Sequence, residues 1–251
     1  MSIKSFLQDE GSVRLGLWAG NFFSLERGRE IAKRLGSRLA SRNVKTNQWV
    51  VSGGKLDRAG LEQQAREVFI GMTRSLFEYF YYFQHPEQGK KLMRQTDRMR
   101  QMVKDVVEDR VPTILLGPHL GNFDLFGLML SWLGMRPLVL SYPTPNNAYK
   151  AQNALREKSG NRVLPITFTA FREAKRELNS GGFVVTGLDR AVEGENQKYQ
   201  IEFFGRPANL PVFYLRMALE TKANVRMGYG LPLPDGSYIL DCTDPFELVS
   251  Q

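Results

Sequence analysis

From residue 111 onward, short apolar runs alternate with helical patterns, and this alternation leaves the chain few architectures to adopt. The runs lie at 112–117 (PTILLG), 137–141 (PLVLS), 163–166 (VLPI), 183–187 (FVVTG), 199–204 (YQIEFF) and 224–229 (NVRMGY). Between most of them, helical spacing occupies 121–133, 146–159, 169–179 and 211–222, with Gly160 and the Gly181-Gly182 pair as stops. A fully apolar run of strand length suits a strand buried on both faces. Strands that alternate with helices predict an α/β fold, with a mainly parallel central sheet flanked by helices.

The first 110 residues read differently, as helices. Ser24 is placed to cap a helix reaching about Ser41, with Ile31, Leu35 and Leu39 on one face and Lys33, Arg34 and Arg38 on much of the rest. Asp57 starts another, in which Leu61, Val68, Phe69, Met72, Leu76, Phe80 and Phe83 keep the spacing of a buried stripe. Its aromatic cluster 77–83 (FEYFYYF) reads as core ahead of a lipid slot. A further helix is expected over 87–109. No repeat and no Pro/Gly/Ser linker divides the chain, so residues 1–251 read as one domain, a helical part (1–110) followed by an α/β part (111–251).

Charge narrows the partners. The 251 residues carry 34 basic and 26 acidic side chains, a formal net charge of +8, and the excess is densest over 11–56, where only Glu26 and Glu30 are acidic. A basic amphipathic helix beside the aromatic segment 13–25 (VRLGLWAGNFFSL) suits a membrane interface. That segment is too short to span and is interrupted by Gly16, Gly20 and Asn21, so peripheral attachment to an anionic membrane surface is expected. The competing reading is a solvated helix face. A nucleic-acid partner would also explain the charge, but no nucleic-acid motif accompanies it, so none is expected. One cysteine excludes an internal disulfide framework, and two histidines, His85 and His119, leave no cluster for a metal.

The segment that carries chemistry is 117–124 (GPHLGNFD). It joins an apolar strand to an apolar helix at the carboxyl edge of the expected sheet, where open α/β sheets hold ligands. His119 in the turn and Asp124 in the first helical turn can meet if the carboxylate folds back, and Gly121 lets the backbone bend. A histidine held by a carboxylate can take a proton from a hydroxyl. The alternative is that His119 only caps the helix. No Gly-x-Ser-x-Gly elbow is present, so the hydroxyl would belong to a substrate. His85, before Pro86, reads as structural. Arg190 at a strand end can grip a phosphate with two parallel bonds, or form a salt bridge with Asp189, Glu193 or Glu195. Glu202 either assists near the site or faces water.

The run HLGNFD resembles the His-x4-Asp signature of the lysophospholipid acyltransferase superfamily. Its surroundings are most similar to the bacterial lipid A late acyltransferases and phosphatidylinositol mannoside acyltransferases. The resemblance covers roughly residues 40–245 and includes Asn122, Gly181-Gly182 before FVVTGLDR, 203–211 (FFGRPANLP) and 221–225 (TKANV). It implies transfer of a fatty acyl group from a thioester, on coenzyme A or acyl carrier protein, to a hydroxyl of a membrane glycolipid or lysophospholipid, with no cofactor and no metal. His119 then matches the general base and Asp124 its orienting acid, where the lipid A branch usually has Glu. Gly121, Asn122, Arg156, Asp189 and Arg190 match substrate-binding positions, and backbone N–H groups at Gly121 and Asn122 fall where an oxyanion could be held. Asp189-Arg190 resembles the Asp-Arg-Asp of the mannoside branch, except that Ala191 replaces its last residue. The resemblance also implies a place on the cytoplasmic face of the inner membrane. The family usually continues into a C-terminal amphipathic helix, whereas this sequence ends DPFELVSQ. A lipid-binding relative without activity, and a hydrolase in which water replaces the acceptor, are the rival readings.

Overall fold

The computed structural model describes residues 9–189 and 200–248. Its N-terminal part holds α1 (Glu10–Phe22), α2 (Leu25–Gly36), α3 (Arg42–Val51), α4 (Arg58–Gln84) and α5 (Pro86–Lys91), then β1 (Met93–Gln95) and α6 (Asp97–Val107). The remainder comprises β2 (Thr113–Gly117), α7 (Phe123–Trp132), β3 (Leu138–Ser141), α8 (Asn147–Lys158), β4 (Arg162–Pro165), α9 (Phe168–Asn179) and β5 (Phe183–Gly187). After these come β6 (Gln200–Phe203), β7 (Arg206–Asn209), α10 (Phe213–Thr221), β8 (Asn224–Pro232) and β9 (Tyr238–Cys242).

Seven strands form one sheet in the order β1-β9-β8-β2-β5-β3-β4. Every pairing in it is parallel except β8 with β9, so the fold is the mainly parallel α/β architecture that the alternation predicts. Strand periodicity divides the core. On β2, Leu115 packs toward α7 while Ile114 and Leu116 face α9 and α10. Helices therefore cover both faces, as a parallel sheet requires.

The expected helices at 121–133, 146–159, 169–179 and 211–222 are α7 to α10. Three strands were not foreseen: β1, β7 and β9. The helix expected over 87–109 is interrupted by β1, because Met93–Gln95 pair with Tyr238–Leu240 and Thr96 then caps a fresh helix through Met99 N–H. The helix begun at Ser24 stops at Gly36, and a separate α3 follows. The run at 199–204 forms no part of the main sheet; β6 pairs only with β7, as a two-stranded hairpin.

Gly16 and Gly20 do not interrupt α1. A Cβ on Gly20 would lie 2.9 Å from the backbone of Phe80, so the missing side chain lets α1 lie directly on α4. The aromatic cluster is core: Tyr79, Phe80, Tyr81 and Tyr82 are buried. The rest of the α4 stripe is not, since Val68, Met72 and Leu76 stay exposed. Glu78, fully buried, accepts from Arg29 Nε at 2.5 Å, Arg74 Nε at 2.8 Å and the Tyr238 hydroxyl. This joins the helical part to β9. No helix among the described residues is long and apolar enough to cross a membrane.

Candidate active site

The register of β2 and β5 sets the site. Gly117 pairs with Gly187 where both strands end, and two residues beyond each lie His119 and Asp189. The two side chains meet side by side at the carboxyl edge. Asp189 Oδ1 lies 2.6 Å from His119 Nδ1, and Asp189 Oδ2 accepts the His119 backbone N–H at 2.8 Å. Partial burial works to raise the Asp189 carboxyl, but the bonds from the ring and backbone of His119 hold it below the ordinary carboxylate range. An ionised carboxylate only accepts, so Nδ1 of the neutral ring carries the hydrogen and Nε2 presents its lone pair. Nε2 makes no hydrogen bond among the described residues, and the Phe123 ring meets the imidazole edge-on at 4.6 Å.

The carboxylate bonded to His119 is thus Asp189 and not Asp124, which corrects the pairing expected from His-x4-Asp. Asp124 points instead at α8, where its Oδ1 accepts from Arg156 Nη2 at 2.6 Å. Arg156 also donates to Asn153 Oδ1 at 2.6 Å and lies 5.3 Å over the Tyr149 ring. Both members of the Arg156–Asp124 pair are about five-sixths buried, with side-chain exposures of 17% and 16%. Burial alone would lower the Arg156 guanidinium, but Asp124 outweighs it and raises it, so this cation stays charged. Nearby, burial and then Asp124 push the Tyr79 hydroxyl up, keeping it protonated.

Gly121 and Asn122 have structural tasks. Gly121 sits at φ +60°, and a Cβ there would be 2.6 Å from the Gly230 carbonyl oxygen. The buried Asn122 caps α7 by accepting from Leu125 N–H at 3.2 Å, and it donates to the Ser75 carbonyl at 3.0 Å. Neither is among the residues lining the cleft described next. Arg190 lies outside the described residues. Glu202 is exposed on β6. His85 holds the end of α4, its Nδ1 2.8 Å from the Tyr81 carbonyl and its ring stacked on Tyr81 at 4.3 Å.

A mostly apolar cleft opens at His119, with an empty volume of about 1290 Å³ including its open mouth. Its wall is one face of α7 (Phe123, Phe126, Gly127 and Leu130), opposed by Val139 of β3 and Val185 of β5. It continues to Pro137 and Asn161 at the opposite edge of the sheet. The ten residues of α7 set its length at about 15 Å. Asp124, Arg156 and Tyr149 line it too, with Ser159 and Asn161, so the mostly apolar slot also carries polar groups. Among the described residues, no three His, Cys, Asp or Glu side chains converge as a metal site needs.

A histidine–carboxylate pair over a long apolar slot, on a mainly parallel sheet, suits an enzyme that works on a molecule with an apolar tail. Residues 28–227 match the family described as bacterial lipid A biosynthesis acyltransferase, and the chain belongs to that family of acyltransferases. Comparison with curated individual proteins gives no match.

Proposed function

We propose that this protein moves a fatty acyl group from an acyl thioester to a hydroxyl of a glycolipid or lysophospholipid, with His119 as general base. The observation that carries the reading is Nε2 of His119, without a hydrogen-bond partner among the described residues, at the mouth of the apolar slot, with Nδ1 held by Asp189. The acyl chain lies in the slot and places the thioester carbonyl at the mouth. Nε2 takes the acceptor hydroxyl's proton as its oxygen bonds to the carbonyl carbon. The carbon–sulfur bond then breaks, and the imidazolium returns the proton to the departing thiolate. Asp189 steadies the imidazolium through this cycle. Arg156, fixed by Asp124, offers positive charge to the polar part of the bound substrates.

The donor is acyl-coenzyme A or acyl carrier protein, and neither step calls for a cofactor. The acceptor enters from the bilayer. The exposed Trp18 and Phe22 of α1 and Ile31 and Leu35 of α2, beside Lys33, Arg34 and Arg38, support peripheral or monotopic attachment to an anionic surface. A location at the cytoplasmic face of the inner membrane fits this reading, because acyl thioesters are available there.

Radiolabelled lauroyl-coenzyme A, incubated with a total membrane lipid extract in detergent micelles, tests the reading. Label in an acylated lipid, lost in His119→Ala, is the expected result. Label released only as free fatty acid, or a folded His119→Ala protein that still transfers, contradicts it.

A further inference from the structure

Both ends of the connection between β5 and α10 lie at the carboxyl edge of the sheet, because α10 must return to the opposite edge where β8 begins beside Thr113. The β6–β7 hairpin is rooted there, on the same edge as His119. Pairing of Ile201 with Ala208 and Phe203 with Arg206 puts these four on one face, and Gln200, Glu202, Pro207 and Asn209 on the other. The hairpin belongs to neither apolar core cluster, and Ile201, Phe203 and Phe204 are about half exposed. A two-stranded hairpin without a covering layer is marginal in water.

Its turn is unusual in a second, independent way. Phe204 and Gly205 form the two-residue loop with φ of +51° and +70°, the pattern of a type I′ turn. Asn, Asp or Gly occupies the first loop position at little cost, whereas a bulky phenylalanine there works against its own backbone preference. The retained ring stands edge-on to Phe203 at 4.6 Å, making an aromatic tip. Beside it, the Arg206 guanidinium lies 5.7 Å over the exposed Trp49 of α3. Arg42 and Lys45 share α3 with Trp49 and Lys55 follows it, while Lys45 and Arg58 both pair with Glu62.

We propose that the hairpin tip and Trp49 form a second docking point for an anionic bilayer, with Phe203 and Phe204 inserted below the headgroups and Arg206 among them. This rests on the membrane attachment in the proposed function and adds to it a specific contact beside the cleft. Aromatic rings next to cations suit the depth at which headgroups meet acyl chains. Anionic lipid supplies the counter-charge that the local basic excess lacks. The exposed Leu120 and Phe123, at the same edge, would then face the bilayer from which an acceptor enters.

Flotation of the full chain with vesicles of phosphatidylcholine and phosphatidylglycerol, against phosphatidylcholine alone, tests this. Phe204→Asn fits the turn and is expected to leave the thermal midpoint equal or higher. It should weaken binding to the anionic vesicles by about tenfold, the size expected for one half-exposed ring, and Phe203→Ser added to it by more. Unchanged flotation of the double variant overturns the proposal. So does a lipid-free dimer of the wild type that Phe204→Asn dissociates, because the hairpin would then meet a second copy. Transfer from lauroyl-coenzyme A in detergent micelles separates the two readings. Vesicle binding without transfer by the wild type removes the enzymatic reading alone, and transfer with Phe204-independent flotation removes the docking alone.

Discussion

Asp189 binds His119 twice, through the ring Nδ1 and through the backbone N–H, although seventy residues separate them in the chain. The double contact fixes both the position of the turn and the rotation of the imidazole. It leaves Asp124 free to do something else, which is to hold Arg156 against the wall of the cleft.

That second pair is mostly buried, so breaking it is costly. Asp124→Asn leaves the Arg156 cation without its carboxylate and is expected to lower stability by about 3 kcal/mol in denaturant titrations. Asp124→Asn with Arg156→Gln should recover part of that loss, since no charge is then left unpaired.

Gly121→Ala tests the turn itself. The added Cβ meets both an unfavourable φ and the Gly230 carbonyl, so a loss of about 2 kcal/mol is expected, read as a lower thermal midpoint. Acyl transfer should fall as well, because the displaced turn carries His119.

Gly127 faces open space on the cleft side of α7; a Cβ there has no neighbour within 4 Å. Gly127→Leu improves helix propensity while filling the slot, so stability should hold or rise by up to about 1 kcal/mol. Transfer from long-chain thioesters should drop more than transfer from short ones, measured with a series of acyl-coenzyme A donors.

A pH effect on stability arises away from the site. Burial works to raise the Asp241 carboxyl, but bonds from Arg98, Thr96, the Cys242 N–H and Tyr229 bring it down to about 2. Its folded value is depressed, so its contribution, about 2 kcal/mol, is complete above the unfolded value near 4 and is lost as pH falls from there toward 2. Asp241→Asn should therefore be less stable than the wild type at pH 6, and the difference should shrink in melts at pH 3.

The fold was largely legible, because apolar runs of strand length and capped helices are local signals. Ser24 and Asp57 cap α2 and α4 as their side chains predict. β1 escaped because it is only three residues long and is held by the register of β9 more than by its own pattern. Val68, Met72 and Leu76 keep core spacing yet remain exposed, since periodicity reports a face and not what covers it. In the site, His119 was readable from its strand–turn–helix setting. Its partner was not: Asp189 reaches it only because β5 inserts between β2 and β3, and strand order is a long-range property. Spacing alone pointed to Asp124, five residues away.

The central claim is that Asp189 holds Nδ1 of His119 and leaves Nε2 as the base. In kinetics, Asp189→Asn should reduce kcat by about 10³–10⁴ while the protein stays folded. The most direct measurement is the ¹⁵N spectrum of the His119 ring in the neutral form. A hydrogen on Nδ1 and a bare Nε2 are predicted, with that preference lost in Asp189→Asn and kept in Asp124→Asn. A tautomer indifferent to Asp189, or one set by Asp124, would contradict the account.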